Sequence, residues 1–158
     1  MSKTSFVSFC IENYADHIGK PSNEIYALFR KEGLLDMLRE DYDDLHGMGM
    51  EYMIHFCDDY LKGSVSAVKS YESGGQMMHA TIRATLMPEI LRLISEKYGC
   101  DEKEAMDCFY NSATGASFSD DDTDLYGQSA LYNFGLYVDE IENKRQLGEQ
   151  LYFTKRRH

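Results

Sequence analysis

The sequence predicts an all-α protein made of two tandem repeats of three to four helices each, packed about a pseudo-twofold axis. Three observations carry this prediction. Residues 6–61 overlay residues 86–141 with a constant shift of 80 and no gap. Nine of the 56 aligned positions are identical (Gly19/Gly99, Glu24/Glu104, Phe29/Phe109, Asp41/Asp121, Asp44/Asp124, Leu45/Leu125, Gly47/Gly127, Tyr52/Tyr132 and Asp59/Asp139), where ordinary composition gives roughly three or four. Apolar residues recur at helical rather than strand spacing in both copies, and glycines and acids punctuate them at the same places.

The first element of each copy is an amphipathic helix. Phe6, Cys10, Tyr14 and Ile18 recur every four residues with Val7 and Ile11 beside them, and Leu86, Ile90, Leu93, Ile94 and Tyr98 repeat the pattern. Each helix ends at a glycine, Gly19 or Gly99, the residue suited to the left-handed conformation after a C-terminus. A second helix follows at once. Asp101 and Glu104 have capping-box spacing, Pro21-Ser22-Asn23-Glu24 offers cap-type residues displaced by one, and Ile25/Phe29 and Ala105/Phe109 face inward. Residues 33–40 then read as one or two helical turns, whereas residues 112–119 (Ser-Ala-Thr-Gly-Ala-Ser-Phe-Ser) read as extended or irregular. The copies rejoin at an acidic loop, Asp41-Tyr42-Asp43-Asp44-Leu45-His46-Gly47 against Asp121-Asp122-Thr123-Asp124-Leu125-Tyr126-Gly127. A last helix closes each copy, with stripes Tyr52, Met53, Phe56, Cys57, Tyr60, Leu61 and Ala130, Phe134, Tyr137, Val138, Ile141. The Gly/Ser-rich stretch between the copies reads as a linker in which Val65, Val68 and Tyr71 allow a helical turn. The boundaries are 1–63 for the first repeat, 64–80 for the linker, 81–145 for the second repeat and 146–158 for a basic tail. One copy buries little apolar surface alone, so the two are expected to share a core.

The net charge of -11 is uneven: residues 144–158 carry +4, which leaves -15 on residues 1–143. An acidic body disfavours nucleic acid and anionic membrane and favours a basic protein surface. Charge interrupts every apolar run before the length of about 20 needed to cross a bilayer, and Met1-Ser2-Lys3-Thr4-Ser5 leads into no signal-peptide core, so the reading is cytoplasmic. Cys10, Cys57, Cys100 and Cys108 form no C-x-x-C pair and read as buried free thiols.

No catalytic set is indicated. His17, His46, His55 and His79 lack metalloprotease spacing, and none adjoins a nucleophile elbow. No cofactor and no metal are expected either. Asp120, Asp122 and Asp124 alternate like calcium ligands, but Leu125 stands where that loop needs glycine and Leu131 where it needs the bidentate glutamate. The loop acids read instead as helix caps, with Asp43 or Asp44 preceding Leu45. Tyr52 and Tyr132 read as buried tyrosines bonded to the turn, with a pocket-lining hydroxyl as the functional alternative. The many methionines suit either an irregular core or a repacking surface.

Phe9-Cys10-Ile11-Glu12, the Asp41-to-His46 loop and Glu51-Tyr52 resemble a family of small bacterial proteins of unknown function whose members look like one such unit. Residues 104–112 and 125–129 resemble a sister branch, so the chain looks like a tandem fusion of two units. The resemblance implies an operon neighbour similar to ADP-ribosyltransferases, in an arrangement like antitoxin and toxin. The leading expectation is then an antitoxin-like, non-enzymatic module that masks a basic or nucleotide-binding cleft of a basic partner. Its contacts are Asp41, Asp43, Asp44, His46, Tyr52, Asp121, Asp122, Asp124, Tyr126 and Tyr132. The alternatives are a ligand-binding protein or enzyme with a pocket between the repeats near His46, Tyr52, Tyr126 and Tyr132, and a homo-oligomer.

Overall fold

The computed structural model describes residues 2–62 and 76–156, with the side chains of 76–77 and 149–156 outside that description. All regular structure among the described residues is helical. In the first repeat α1 spans Lys3–Ile18, α2 Ser22–Lys31, α3 Leu34–Glu40, α4 Tyr42–Leu45 and α5 Met50–Tyr60. In the second, α6 spans Gln76–Tyr98, α7 Glu102–Tyr110, α8 Ala113–Ser119 and α9 Ala130–Arg156, with two 3-10 turns at Asp121–Thr123 and Leu125–Gly127. The shift of 80 read from the sequence carries one set of elements onto the other: α2 and α7, and α5 and α9, begin 80 positions apart.

Local chemistry sets these boundaries. The Ser2 hydroxyl accepts from Ser5 N at 3.1 Å to open α1, and Asp101 Oδ1 accepts from Glu104 N at 2.7 Å to open α7. Gly19 at φ 78 and Gly99 at φ 67 end the two long first helices. Burial follows the same register, since Val7, Cys10, Ile11 and Tyr14 of α1 and Met87, Ile90, Leu91 and Ile94 of α6 are all in the core. These two helices make the most extensive contact among the described residues, so the core of each repeat is completed by the other. As expected, Ile25, Phe29, Ala105 and Phe109 are buried with them.

Several expectations are corrected. Residues 113–119 form a helix rather than an extended segment. Ser112 caps it by accepting from Gly115 N at 2.9 Å, and Gly115 lies so close to α7 that a Cβ there would sit 1.8 Å from the Phe109 carbonyl oxygen. Tyr52 and Tyr132 are not buried; each is 50% exposed, because their neighbours Met53 and Asn133 take the inward positions of α5 and α9. The cap position of α4 falls on Asp41 and that of α5 on Gly49, so Asp43 and Asp44 lie inside the first turn of α4 and cap nothing. Cys10 and Cys57 are buried, but Cys108 is exposed. Of the expected linker, residues 76–80 belong to α6, while 63–75, including Val65, Val68 and Tyr71, lie outside the described residues. The backbone of the expected tail continues α9 as far as Arg156.

Candidate functional site

Both acidic loops are pinned by an aromatic stack, on different anchors. In the first repeat the His46 ring stacks on Tyr42 at 4.4 Å, His46 Nδ1 lies 2.7 Å from the Tyr42 carbonyl oxygen, and Tyr42 packs edge-on against Phe6 of α1 at 5.6 Å. In the second, Tyr126 occupies the place of His46 and stacks on His79 of α6 at 3.9 Å. Asp41, Asp43, Asp44 and His46 are exposed, as are Asp122 and Asp124. Asp124 adopts the left-handed conformation at φ 57, which aspartate tolerates better than most residues. Tyr52 and Tyr132 stand exposed at the starts of α5 and α9, just beyond their loops.

Asp121 is set apart from the other loop acids. Its Oδ1 accepts from Arg83 Nη1, and its Oδ2 lies 3.5 Å from His79 Nδ1. Arg83, 5% exposed, passes on to Glu12, which is wholly buried in α1. Glu12 Oε1 accepts from Arg83 Nε and from Ser22 Oγ, both at 2.6 Å, and Oε2 accepts from Tyr110 OH at 2.8 Å. Burial raises the Glu12 pKa, opposed by the Arg83 charge and by the three hydrogen bonds. Asp16 is also raised, first by burial and also by the Asp121 charge, with Arg83 opposing. The second loop is thus tied through one ion-pair chain to the centre of the first repeat.

The last helices are docked by residues that share one aligned position. Tyr60 OH of α5 donates to the Glu32 carbonyl oxygen at 2.9 Å, at the α2–α3 junction. Glu140 of α9 does the matching work at the α7–α8 junction, accepting from Ala113 N at 3.0 Å, Thr114 N at 2.7 Å and Thr114 Oγ1 at 2.8 Å. Burial alone would raise the Glu140 carboxyl, but Lys144 and the Thr114 and Ala113 donors together lower it to about 2.

One cleft between the repeats is lined by none of His46, Tyr52, Tyr126 and Tyr132. It opens between α2–α3 and α7, with a volume of about 770 Å³, lined among others by Tyr26, Arg30, Asp36, Arg39, Lys103 and Asp107. Asp107 Oδ1 accepts from Tyr26 OH at 2.9 Å and pairs with Arg30 at 2.9 Å, and Lys103 pairs with Asp36 at 3.0 Å. Sequence reasoning missed this cleft and the Glu12–Arg83 pair. The one available signal was a carboxylate, Glu12, placed on the apolar face of α1 between Ile11 and Tyr14.

The first repeat carries a recognisable family signature. Residues 5–63 match the family model described as protein of unknown function (DUF3791). The matched segment takes in almost all of α1 and the whole of α2 to α5, including the first acidic loop and Tyr52. The sequence resemblance is met at that level, a domain-of-unknown-function family. No curated protein and no solved structure matches the chain. Among the described residues no helix is long and apolar enough to cross a membrane, and no group of three or more His, Cys, Asp or Glu side chains is placed to hold a metal ion.

Proposed function

We propose that the chain is a non-enzymatic, antitoxin-like protein-binding module that masks a basic or nucleotide-binding cleft of an ADP-ribosyltransferase-like partner encoded beside it. The observation that carries the reading is a surface feature present twice. Each repeat presents free carboxylates on a pinned loop (Asp41, Asp43 and Asp44; Asp122 and Asp124) followed by a half-exposed tyrosine, Tyr52 or Tyr132. Tyrosine supplies a large contact area with few rotamers to freeze, and carboxylates steer a basic partner and stand in for dinucleotide phosphates. His46 and Tyr126 act by holding the loops through their stacks. Asp121 leaves the contact set, because Arg83 already holds it.

Coexpression with the neighbouring protein tests this, with growth and copurification as readouts. The wild-type chain is expected to copurify with that protein and to relieve its toxicity. A variant with Asp41, Asp43, Asp44, Asp122 and Asp124 changed to Asn should associate more slowly while melting as a folded protein. Failure of the wild-type chain to bind or protect overturns the reading.

A further inference from the structure

The second acidic loop is clasped by a histidine from outside it, and the first loop is not. His79, near the start of α6, stacks its ring on Tyr126 at 3.9 Å and brings Nδ1 to 3.5 Å from Asp121 Oδ2. It therefore touches both 3-10 turns of the loop, Asp121–Thr123 and Leu125–Gly127. His79 Nδ1 is shut off from water and makes no hydrogen bond among the described residues. In the first loop the stacked imidazole is that of His46, inside the loop itself, and its Nδ1 lies 2.7 Å from the Tyr42 carbonyl oxygen. A carbonyl accepts from a ring N–H in either charge state of the ring, whereas a carboxylate at 3.5 Å attracts the charged ring far more than the neutral one.

The charges around His79 set the direction of the effect. Asp121 faces it from the loop, Asp16 lies within electrostatic reach on α1, and Arg83 stands one turn further along α6, already paired with Glu12 of α1 and with Asp121. Lys20 and Asp120 line the small cavity that Asp16, Arg83 and Asp121 share, and His17 is engaged at 3.5 Å by Asp58. The carboxylates of Glu12, Asp16 and Asp121 outnumber the Arg83 guanidinium, so a proton on the His79 ring is favoured while the loop is seated. Linkage makes the relation reciprocal: the proton in turn holds the loop. We propose that His79 is a pH-sensitive latch on the second acidic loop, in which protonation of the ring as pH falls draws Asp121 onto Nδ1 and fixes the turns between Asp121 and Gly127. Histidine changes charge between about pH 5 and 8, the range in which such a latch operates. Above it the neutral ring keeps its stack on Tyr126, and Arg83 alone among the described residues holds Asp121 by charge. The same loop presents Asp122 and Asp124, so the latch regulates how firmly they are placed before a partner arrives; that consequence rests on the docking reading, and the latch itself does not.

Hydrogen exchange on the free, full chain tests the latch with no partner present, so its failure and the failure of the docking reading are distinguishable. The amides to follow are those of Asp124, Gly127 and Gln128, which donate to the carbonyl oxygens of Asp121, Asp124 and Leu125 at 3.2, 3.0 and 3.0 Å. With the chemical pH dependence of exchange divided out, their protection should be about 2- to 5-fold higher at about pH 5.5 than at about pH 7.5, the size expected of a pair whose side chains are 29% and 31% exposed. His79→Phe keeps a ring for the stack and cannot take a proton, so its protection should be the same at both pH values. Asp121→Asn should lose the rise as well, and His79→Gln takes the place of His79→Phe should that variant fail to fold. Glu12, Asp16 and His17 remain in every variant. A rise that persists in the His79 variants or in Asp121→Asn therefore belongs to those groups and overturns the proposal, as does wild-type protection that stays flat or falls towards the lower pH.

Discussion

Replacing Arg83 with methionine removes the guanidinium that joins the repeats, paired with the wholly buried Glu12 on one side and the partly exposed Asp121 on the other. Glu12 is wholly buried and Arg83 is 5% exposed, so neither charge is screened by water. The substitution keeps most of the side-chain volume and leaves the Glu12 carboxylate with only the Ser22 and Tyr110 hydroxyls, at 2.6 and 2.8 Å. Stranding a buried charge in this way costs about 3–5 kcal/mol, a large share of the 5–15 kcal/mol typical of a folded domain. Part of the loss is recovered by protonation. Glu12 already has a raised pKa in the folded protein, and removing Arg83 raises it further. The unfolded chain keeps the ordinary value, so the folded state binds the extra proton and is favoured as pH falls. The penalty should therefore be larger near pH 8 than near pH 5. In Glu12→Gln/Arg83→Met the amide oxygen accepts from one of the two hydroxyls, the amide NH2 donates to the other once that hydroxyl rotates, and no buried carboxylate is stranded, so the double variant should lie within about 1–2 kcal/mol of wild type. Urea unfolding followed by circular dichroism and by fluorescence of the 12 tyrosines reads all three proteins. A loss below about 1 kcal/mol for Arg83→Met, or a double variant as unstable as the sum of the singles, would refute the argument that this pair is a stranded-charge clamp.

Further outcomes follow from other contacts. Glu140→Gln should cost about 1–2 kcal/mol at neutral pH after allowance for solvent screening; because the folded carboxyl is lowered to about 2, the difference from wild type should shrink as pH falls from about 5 towards 2, measured by thermal melts across that window. Gly115→Ala drives a Cβ to 1.8 Å from the Phe109 carbonyl oxygen and should cost about 3 kcal/mol or more. Gly135→Ala meets nothing within 4 Å inside α9 and should gain about 0.5–1 kcal/mol; denaturant midpoints of the two proteins compare them directly. In a complex with the neighbour-encoded partner, Tyr52→Ala and Tyr132→Ala should speed dissociation, whereas added salt should chiefly slow association, read by surface-based kinetics.

The sequence by itself determined the helical class, the register of the two repeats and most helix ends. Those features depend on residues a few positions apart. The four-residue spacing of Phe6, Cys10, Tyr14 and Ile18 makes one face of a helix whatever lies beyond it, and Gly19 and Gly99 accept positive φ on their own account. The family signature lay in the same local runs, within residues 5–63. Tertiary structure decided α8, the outward direction of Tyr52 and Tyr132, and the location of the cleft. A run of Ser, Ala, Thr and Gly has little helical preference, and it winds up here because Glu140 reaches in from α9 to satisfy its first N–H groups and Gly115 lets it seat against α7. The sequence pattern puts Tyr52 at the head of the apolar stripe of α5, and only the packed neighbours reveal that Met53 takes the inward position while Tyr52 turns out. Glu12 finds its donors 71 and 98 residues away, at Arg83 and Tyr110. A sequence pattern reports which face of a helix is apolar; which helix covers that face, and which charges meet beneath it, is settled when the two repeats close on one another.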